Sequence, residues 1–288
     1  MREVTIICRP KSRNGVPFYQ RLHDELPNQG IRVVAAHSAK SRKDLIRAVR
    51  SAVKAKAETI VVVGGDGSQT AAVSEIAHTK SALAVVPAGT GNSFALSIGI
   101  KDFETALEAI VKGREERIDV GVLNGTYFAN FASVGLLADA ADDTSRPLKR
   151  IVGPVAYGVS FMRNLLRSRP FQMHVTWEGG ELDIETYQAI IANGRYFGWQ
   201  ALTPDAGVHS GKLAFFAVEG ISRADALKTS AALVRGDQVK LEGAHYFSAE
   251  KIQIKTKPKQ QLDIDGHTLG KTPGKFKVEA KALRVLVP

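Results

Sequence analysis

The run Thr59-Ile60-Val61-Val62-Val63, closed by Gly64-Gly65-Asp66-Gly67-Ser68, constrains the fold more than any other stretch of this 288-residue chain. A strand that is β-branched at every position has no side suited to solvent. It predicts the middle of a sheet covered on both faces, the usual setting of parallel strands. The glycines that follow allow a sharp exit from that strand and a close backbone approach to whatever binds there.

The neighbouring segments repeat the pattern. Val4 to Cys8 reads as a buried strand, Phe18 to Leu26 has helical spacing, and Ile31 to Ala36 is again strand-like. Ser41 reads as a helix cap, with Asp44 three positions on and Leu45, Ala48, Val49 and Val53 along one face. Thr70 to His78 has helical spacing, and Leu83 to Val86 is another buried strand ending at Pro87. Alternating strands and helices predict an α/β, doubly wound parallel sheet. Beyond Ile118 the pattern changes. Ile118 to Leu123, Asn124-Gly125 and Thr126 to Ala132 read as a β-hairpin on a two-residue turn. Gln172 to Trp177, Thr186 to Ala192, Lys212 to Val218, Tyr246 to Lys255 and Arg284 to Val287 are further strand-like runs, so this half is expected to be mainly antiparallel.

Charge narrows the partners. Lys and Arg total 39 against 29 Asp and Glu, a net charge of +10. Such a surface attracts nucleic acid, anionic membrane or phosphorylated small molecules. No helix-turn-helix, zinc motif or aromatic RNA-binding pattern accompanies the charge, so nucleic acid is not expected as a partner. The single cysteine, Cys8, reads as a small buried strand residue, and no intrachain disulfide can form. Met1-Arg2-Glu3-Val4 lacks the apolar stretch of a secretory leader, and no run of about 18 apolar residues occurs. The expectation is a cytoplasmic protein whose membrane contact, if any, is peripheral. Between Asp143 and Glu178 there is no acid, while Arg146, Lys149, Arg150, Arg163, Arg167 and Arg169 lie inside that stretch. Val155, Val159, Met162 and Leu166 share a helical face there. The favoured reading is a helix covering a sheet with its basic face in water; the other is a helix lying on anionic lipid.

Two turns carry the chemistry. Free amides in a glycine turn beside a helix start suit phosphate oxygens. Asp66, placed in such a turn, either caps the next helix, holds Mg²⁺, or accepts a proton from a hydroxyl. Pro87-Ala88-Gly89-Thr90-Gly91-Asn92-Ser93-Phe94-Ala95 also follows a buried strand and precedes a helical pattern. Thr90 and Asn92 offer short polar groups to phosphate or ribose. Two such turns at the carboxyl edge of one parallel sheet point to a nucleotide site. Neither is a Walker A loop, since no Gly-Lys-Ser/Thr follows.

Gly-Gly-Asp-Gly-Ser followed by Pro-Ala-Gly-Thr-Gly-Asn-Ser-Phe-Ala resembles the diacylglycerol kinase catalytic-domain family, which includes bacterial lipid kinases, ceramide kinases and sphingosine kinases. Arg9-Pro10-Lys11-Ser12 resembles that family's N-terminal loop. Further similar stretches are Phe131 to Gly135, Lys149 to Tyr157, Asn193-Gly194, Pro204-Asp205-Ala206, Gly211-Lys212-Leu213 and Asp265-Gly266-His267. The resemblance implies a nucleotide-binding α/β domain at 1–119, rejoined by a C-terminal strand at 279–288, and a β-sandwich-like acceptor domain at 120–278, with a cleft between them. It implies ATP and Mg²⁺ as cofactors and a lipid acceptor. Arg9, Ser38, Gly64, Gly65, Gly67, Ser68, Gly89, Thr90 and Asn92 would hold the nucleotide. Asp66 would bind the metal and share catalysis with His267, and Asp139 and Asn193 would face the acceptor. The chain departs from the pattern at four places. His267 stands where the family often has Glu, Ser210 where a structural Mg²⁺ site uses Asp, Ala71 where Glu is usual, and Arg9 where Asn is usual. Two other readings stay open: a non-catalytic nucleotide or lipid sensor of the same fold, and a kinase of a soluble acceptor akin to NAD kinase. Association with an anionic membrane and homodimerisation also stay open.

Overall fold

The computed structural model describes residues 2–136, 168–197, 200–220 and 222–288. They fall into two units, Met1–Val120 with Glu279–Pro288, and Gly121–Val278.

The first unit alternates β1 (Glu3–Cys8), α1 (Gly15–Asn28), β2 (Arg32–Ser38), α2 (Arg42–Lys54), β3 (Thr59–Gly64), α3 (Asp66–Ile76), β4 (Ala82–Pro87), α4 (Ser93–Ser97) and α5 (Phe103–Val111). All strand pairs among β1 to β4 are parallel, in the order β2-β1-β3-β4. The apolar run is the reason β3 lies inside: each of its six residues is buried, and Ile60, Val61, Val62 and Val63 expose nothing. Burying four such side chains contributes roughly 6–12 kcal/mol. Amphipathic helices cover this sheet. α2 starts with the expected capping box between Ser41 and Asp44 and buries Leu45, Val49 and Ala52. It packs beside α3, tied by Arg50 to Glu75 at 2.9 Å. α1 packs beside α5, where the Phe18 and Phe103 rings meet at 4.9 Å. At the far edge of β4, residues Arg284 and Val285 of the final strand pair in parallel with Ala82 and Leu83.

The chain enters the second unit within β5 (Arg114–Leu123) and continues through β6 (Thr126–Phe128), β7 (Phe131–Gly135), β8 (Phe171–Trp177), β9 (Gly180–Thr186) and β10 (Gln188–Ala192). A two-residue ladder, β11 (Tyr196–Phe197) with β12 (Gln200–Ala201), leads to β13 (Leu213–Val218) and α6 (Arg223–Arg235). Then come β14 (Ala244–Ala249), β15 (Lys251–Lys257), β16 (Gln261–Ile264), β17 (His267–Lys271) and β18 (Gly274–Val287). Two antiparallel sheets face each other. One contains β9-β8-β15 and residues 274–277 of β18; the other runs β14-β13-β10-β7-β16-β17. Alternate residues from both fill the space between: Met173, Val175, Ile252, Ile254 and Phe276 meet Val134, Ile191, Phe215, Leu262 and Ile264. The outer side of the six-stranded sheet buries Ile190, Phe216 and Val218 against Ala226 and Leu233 of α6. This is the α/β plus antiparallel β-sandwich class expected from the sequence.

Two expected strands are each divided. The hairpin arm Thr126 to Ala132 is broken at Ala129 and Asn130, so β6 pairs with β5 while β7 joins the other sheet. The cause lies far along the chain. The Asp265 carboxylate accepts the backbone N–H groups of Ala129, Asn130 and Phe131 at 2.9, 3.2 and 3.0 Å, which removes them from any ladder. The run Tyr246 to Lys255 is broken at Glu250, where the Glu178 carboxylate accepts the N–H groups of Glu250 and Lys251.

Candidate active site

β3 and β4 are neighbours with Gly64 opposite Pro87, so both glycine turns leave the same edge of the sheet. They touch. A Cβ added to Gly89 would lie 2.6 Å from Gly65 Cα, and one added to Gly65 would lie 3.1 Å from Gly89 Cα. Only residues without side chains let these two backbones approach so closely. Ala88 N–H donates to Gly64 O at 3.0 Å and fixes the contact. A third loop joins them: Arg9 N–H donates to Val63 O at 2.9 Å and Asn14 N–H to Ala88 O at 3.1 Å.

The helix after the first turn begins earlier than its spacing predicts. Gly65 is the N-cap and α3 starts at Asp66, so Gly67 and Ser68 lie in its first turn. Ser68 N–H turns back on Gly65 O at 2.8 Å, the earlier first-turn amides have no acceptor from the helical ladder, and the macrodipole adds positive character there. That is a phosphate-seeking surface. Asp66 does not cap α3; its Oδ1 accepts Phe94 N–H at 3.1 Å across the second turn. Burial pushes the Asp66 carboxyl above the usual carboxylate range, against hydrogen bonds from the Phe94, Asn92 and Ser93 amides.

Asn92 adopts left-handed backbone, φ 56°, and closes its own turn: Oδ1 accepts Gly89 N–H at 3.0 Å and Nδ2 donates to Gly89 O at 3.2 Å. Thr90 and Gly91 stand at the tip of that turn, both exposed. Ser38 is exposed at the end of β2, opposite Cys8. Arg9 reaches from the end of β1 to donate to Ala39 O at 3.2 Å. Two further side chains reach the first turn without any sequence motif to mark them. Arg42, on the first residue of α2, donates to Gly67 O at 3.4 Å, and Gln69 donates to Gly64 O at 3.2 Å. Cys8 is buried with its thiol donating to Gly15 O at 3.3 Å. Burial pushes that thiol up to about 11, against the nearby Arg9 charge, so it is a packing residue rather than a nucleophile.

The remaining sequence candidates belong to the second unit. Asn193 is fully buried; its N–H donates to Asn130 O at 2.8 Å and its amide to Ala129 O at 3.0 Å. His267 opens β17, half-buried, with Nδ1 donating to Asp265 O at 3.3 Å. Asp265 is the residue whose importance the sequence did not show. It is 8 % exposed, and its three amide bonds lock the 129–131 segment beside the turn that carries His267. Ser210 closes on its own turn, accepting Lys212 N–H at 3.2 Å and donating to Lys212 O at 2.7 Å. Asp139, the Lys149 to Tyr157 stretch and the apolar helical face from Val155 to Leu166 lie outside the described residues, as do Arg146, Arg163 and Arg167. Among the described residues, no three His, Cys, Asp or Glu side chains converge to hold a metal, and no helix is long and apolar enough to cross a membrane.

A family model described as "Diacylglycerol kinase catalytic domain" matches residues 3–123, and one described as "YegS C-terminal NAD kinase beta sandwich-like domain" matches residues 130–287. A curated protein from Bacillus subtilis (strain 168), named Diacylglycerol kinase, is 26% identical over 296 residues, which cover 100% of this chain and 97% of that protein. A protein of the same name from Staphylococcus aureus (strain JH9) is 27% identical over 297 residues, covering 100% of this chain and 93% of its own length. The crystal structure of a diacylglycerol kinase from Bacillus anthracis str. Sterne has the same fold, with a TM-score of 0.73 at 19% identity over 100% of this chain and 97% of that one. Another structure from that organism reaches a TM-score of 0.83 at 20% identity, covering 100% of this chain and 95% of that one. The chain belongs to the diacylglycerol kinase catalytic-domain family of kinases, its catalytic domain followed by the YegS-type β-sandwich domain.

Proposed function

We propose that this protein transfers the γ-phosphoryl group of ATP to a hydroxyl of a diacylglycerol-like or sphingoid-like lipid. The observation that carries the reading is the contact of Gly65 with Gly89, which brings two amide-rich turns together around Asp66. Phosphoryl transfer asks a protein mainly for positioning and charge neutralisation. The amides of Gly65 and Gly67 and the hydroxyl of Ser68, with Gly64 and Gly89 giving backbone access, would hold the phosphates, and Thr90 and Asn92 would border them. Arg9, Arg42 and Ser38 would line the same edge. Mg²⁺ fits this donor set. Asp66 Oδ1 is occupied by Phe94, whereas a Cβ on Gly91 would lie 3.1 Å from Oδ2, so the glycine leaves that oxygen approachable. One carboxylate oxygen plus substrate phosphates and water is an ordinary Mg²⁺ environment. The ion would supply charge neutralisation at the phosphates. The proton of the attacking hydroxyl would pass to Asp66 or to neutral His267, and Asp139 would border the acceptor, whereas Asn193, fully buried, would act by holding the Ala129 and Asn130 carbonyls. The names of the full-length relatives support the lipid assignment.

A non-catalytic sensor is the second reading, favoured by Ser210, whose hydroxyl is spent on its own turn where the family pattern has a carboxylate. Labelled ATP and Mg²⁺, offered with diacylglycerols, sphingoid bases and NAD, decide among them. Label in a lipid phosphate is expected. Label in NADP overturns the lipid acceptor, and ATP binding without transfer to any acceptor establishes the sensor.

A further inference from the structure

The outward face of β15 and β18 carries lysines in an arrangement that costs the fold stability. Ile252, Ile254 and Phe276 point into the sandwich, so Lys251, Lys255 and Lys257 of β15 and Lys275 and Lys277 of β18 point out, and all five are exposed. The register sets Lys251 directly opposite Lys277 and Gln253 opposite Lys275. Like charges facing each other across a strand pair repel. Lys251, Lys255, Lys257 and Lys275 enter no ion pair among the described residues. The next strand offers only neutral groups and one histidine on this face: Thr176 beside Gln253, His174 beside Lys255 and Gln172 beside Lys257. Acids appear one strand further out, where Glu181, Asp183 and Glu185 of β9 oppose those residues and Asp183 pairs with His174 at 2.9 Å. Over Lys251, Lys275 and Lys277 lies an open groove of about 740 Å³, walled by the Asn124-Gly125 turn on one side and by Trp177 and Glu178 on another. Glu178 is turned to the Glu250 and Lys251 amides.

We propose that this face docks on the anionic phospholipid headgroups of a membrane, with headgroup phosphates entering the groove. Three observations choose that occupant. Five ammonium groups on a sheet face match a dense layer of phosphates. Lysine is a mobile point charge that needs no fixed partner geometry, which suits laterally mobile headgroups, whereas nucleic acid is commonly gripped with arginine forks and aromatic platforms. No arginine stands among the outward positions of β15, β8 or residues 274–277, and the Trp177 ring at the groove wall is stacked on Phe247 at 3.9 Å. Selection of a bilayer over other polyanions rests on the lipid-acceptor reading, since a kinase of a membrane-resident alcohol must reach its substrate in the bilayer. The docking itself is a separate property of the second unit and is read without turnover.

The test is co-sedimentation of the whole chain with phosphatidylglycerol-containing vesicles and with pure phosphatidylcholine vesicles, at low and high salt. Binding only to the anionic vesicles, weakened by salt, is expected. Each juxtamembrane lysine contributes about fivefold, so Lys251→Gln with Lys275→Gln lowers partitioning ~25-fold. Lys255→Gln with Lys257→Gln acts in the same direction, and Glu181→Gln with Glu185→Gln strengthens binding. The variants are exposed, and unchanged thermal unfolding certifies their fold. Turnover on substrate in neutral detergent micelles stays at the parent rate. Vesicle binding unaffected by both lysine pairs overturns the proposal, as does a lysine-dependent preference for oligonucleotides over anionic vesicles. Lysine-dependent vesicle binding without phosphorylation of any lipid supports the docking surface while removing the acceptor assignment.

Discussion

Replacing Gly89 by alanine tests the contact on which the nucleotide site is built. The new methyl carbon would sit 2.6 Å from Gly65 Cα and 2.8 Å from Asn92 Oδ1. Ordinary contact begins at 3.4 Å, so the loops must separate by about 0.8 Å or more. The first obstacle is main chain, so no rotamer change relieves it. Such overpacking costs about 1–3 kcal/mol of stability. A displacement near 1 Å of groups that position a reactant costs roughly 10²-fold in rate, about 2.7 kcal/mol at the barrier. The Asn92 clamp on Gly89 is strained by the same methyl group, so ATP affinity falls as well. Titration calorimetry with a non-hydrolysable ATP analogue reads the affinity, and initial rates read kcat and KM. Gly207→Ala serves as the control, because a Cβ there meets nothing within 4 Å. Parent-like affinity and kcat in Gly89→Ala would refute the claim that the Gly65–Gly89 approach forms the phosphate site.

Asp66→Asn keeps the oxygen that accepts Phe94 N–H but removes the charge, so transfer is expected to drop by about 10³-fold or more. The raised carboxyl gives the sign of the stability change. Between the unfolded value near 3.8 and the higher folded one, the native state holds a proton that the unfolded state has released, so stability declines as pH rises through that window and stays reduced at neutral pH. The Asp66→Asn variant therefore unfolds no more easily than the parent at pH 7 and lacks that slope; a lower melting temperature contradicts the assigned burial. For His267→Ala, kcat falls about 10²-fold or more and the pH–rate profile changes shape; an unchanged profile assigns the base to Asp66. Asp265→Ala strands three backbone amides, which costs about 3–5 kcal/mol in urea unfolding, and a loss under about 1 kcal/mol would show that the 129–131 segment finds other acceptors.

The parts legible in the sequence were those governed by local pattern. The β-branched run marked β3 as an interior strand, and the Ser41–Asp44 spacing announced the capping box of α2. Both glycine turns stood out because strand, turn and helix follow one another within a few residues. What pattern reading missed depends on partners distant in the chain. Nothing between Thr126 and Ala132 announces a break, because the carboxylate that makes it belongs to Asp265. The split of Tyr246 to Lys255 depends on Glu178 in the same way. Arg42 carries no motif, and its nearness to Gly67 follows from α2 packing beside α3. Helical spacing placed the start of the third helix at Thr70, because Gly67 and Ser68 are poor helix formers; the turn geometry starts it at Asp66.

The route of β18 has a consequence for biosynthesis. Residues 279–288 complete the sheet of the first unit, yet they leave the ribosome roughly 160 residues after that unit's main segment. At about 5–20 residues per second, the open flank of β4 waits ~10–30 s for its neighbour. An unpaired parallel strand edge rich in apolar groups is a template for wrong pairing during that interval. Nascent-chain crowding, chaperone supply and expression temperature should therefore govern the yield of this protein more than the equilibrium stability of the finished chain.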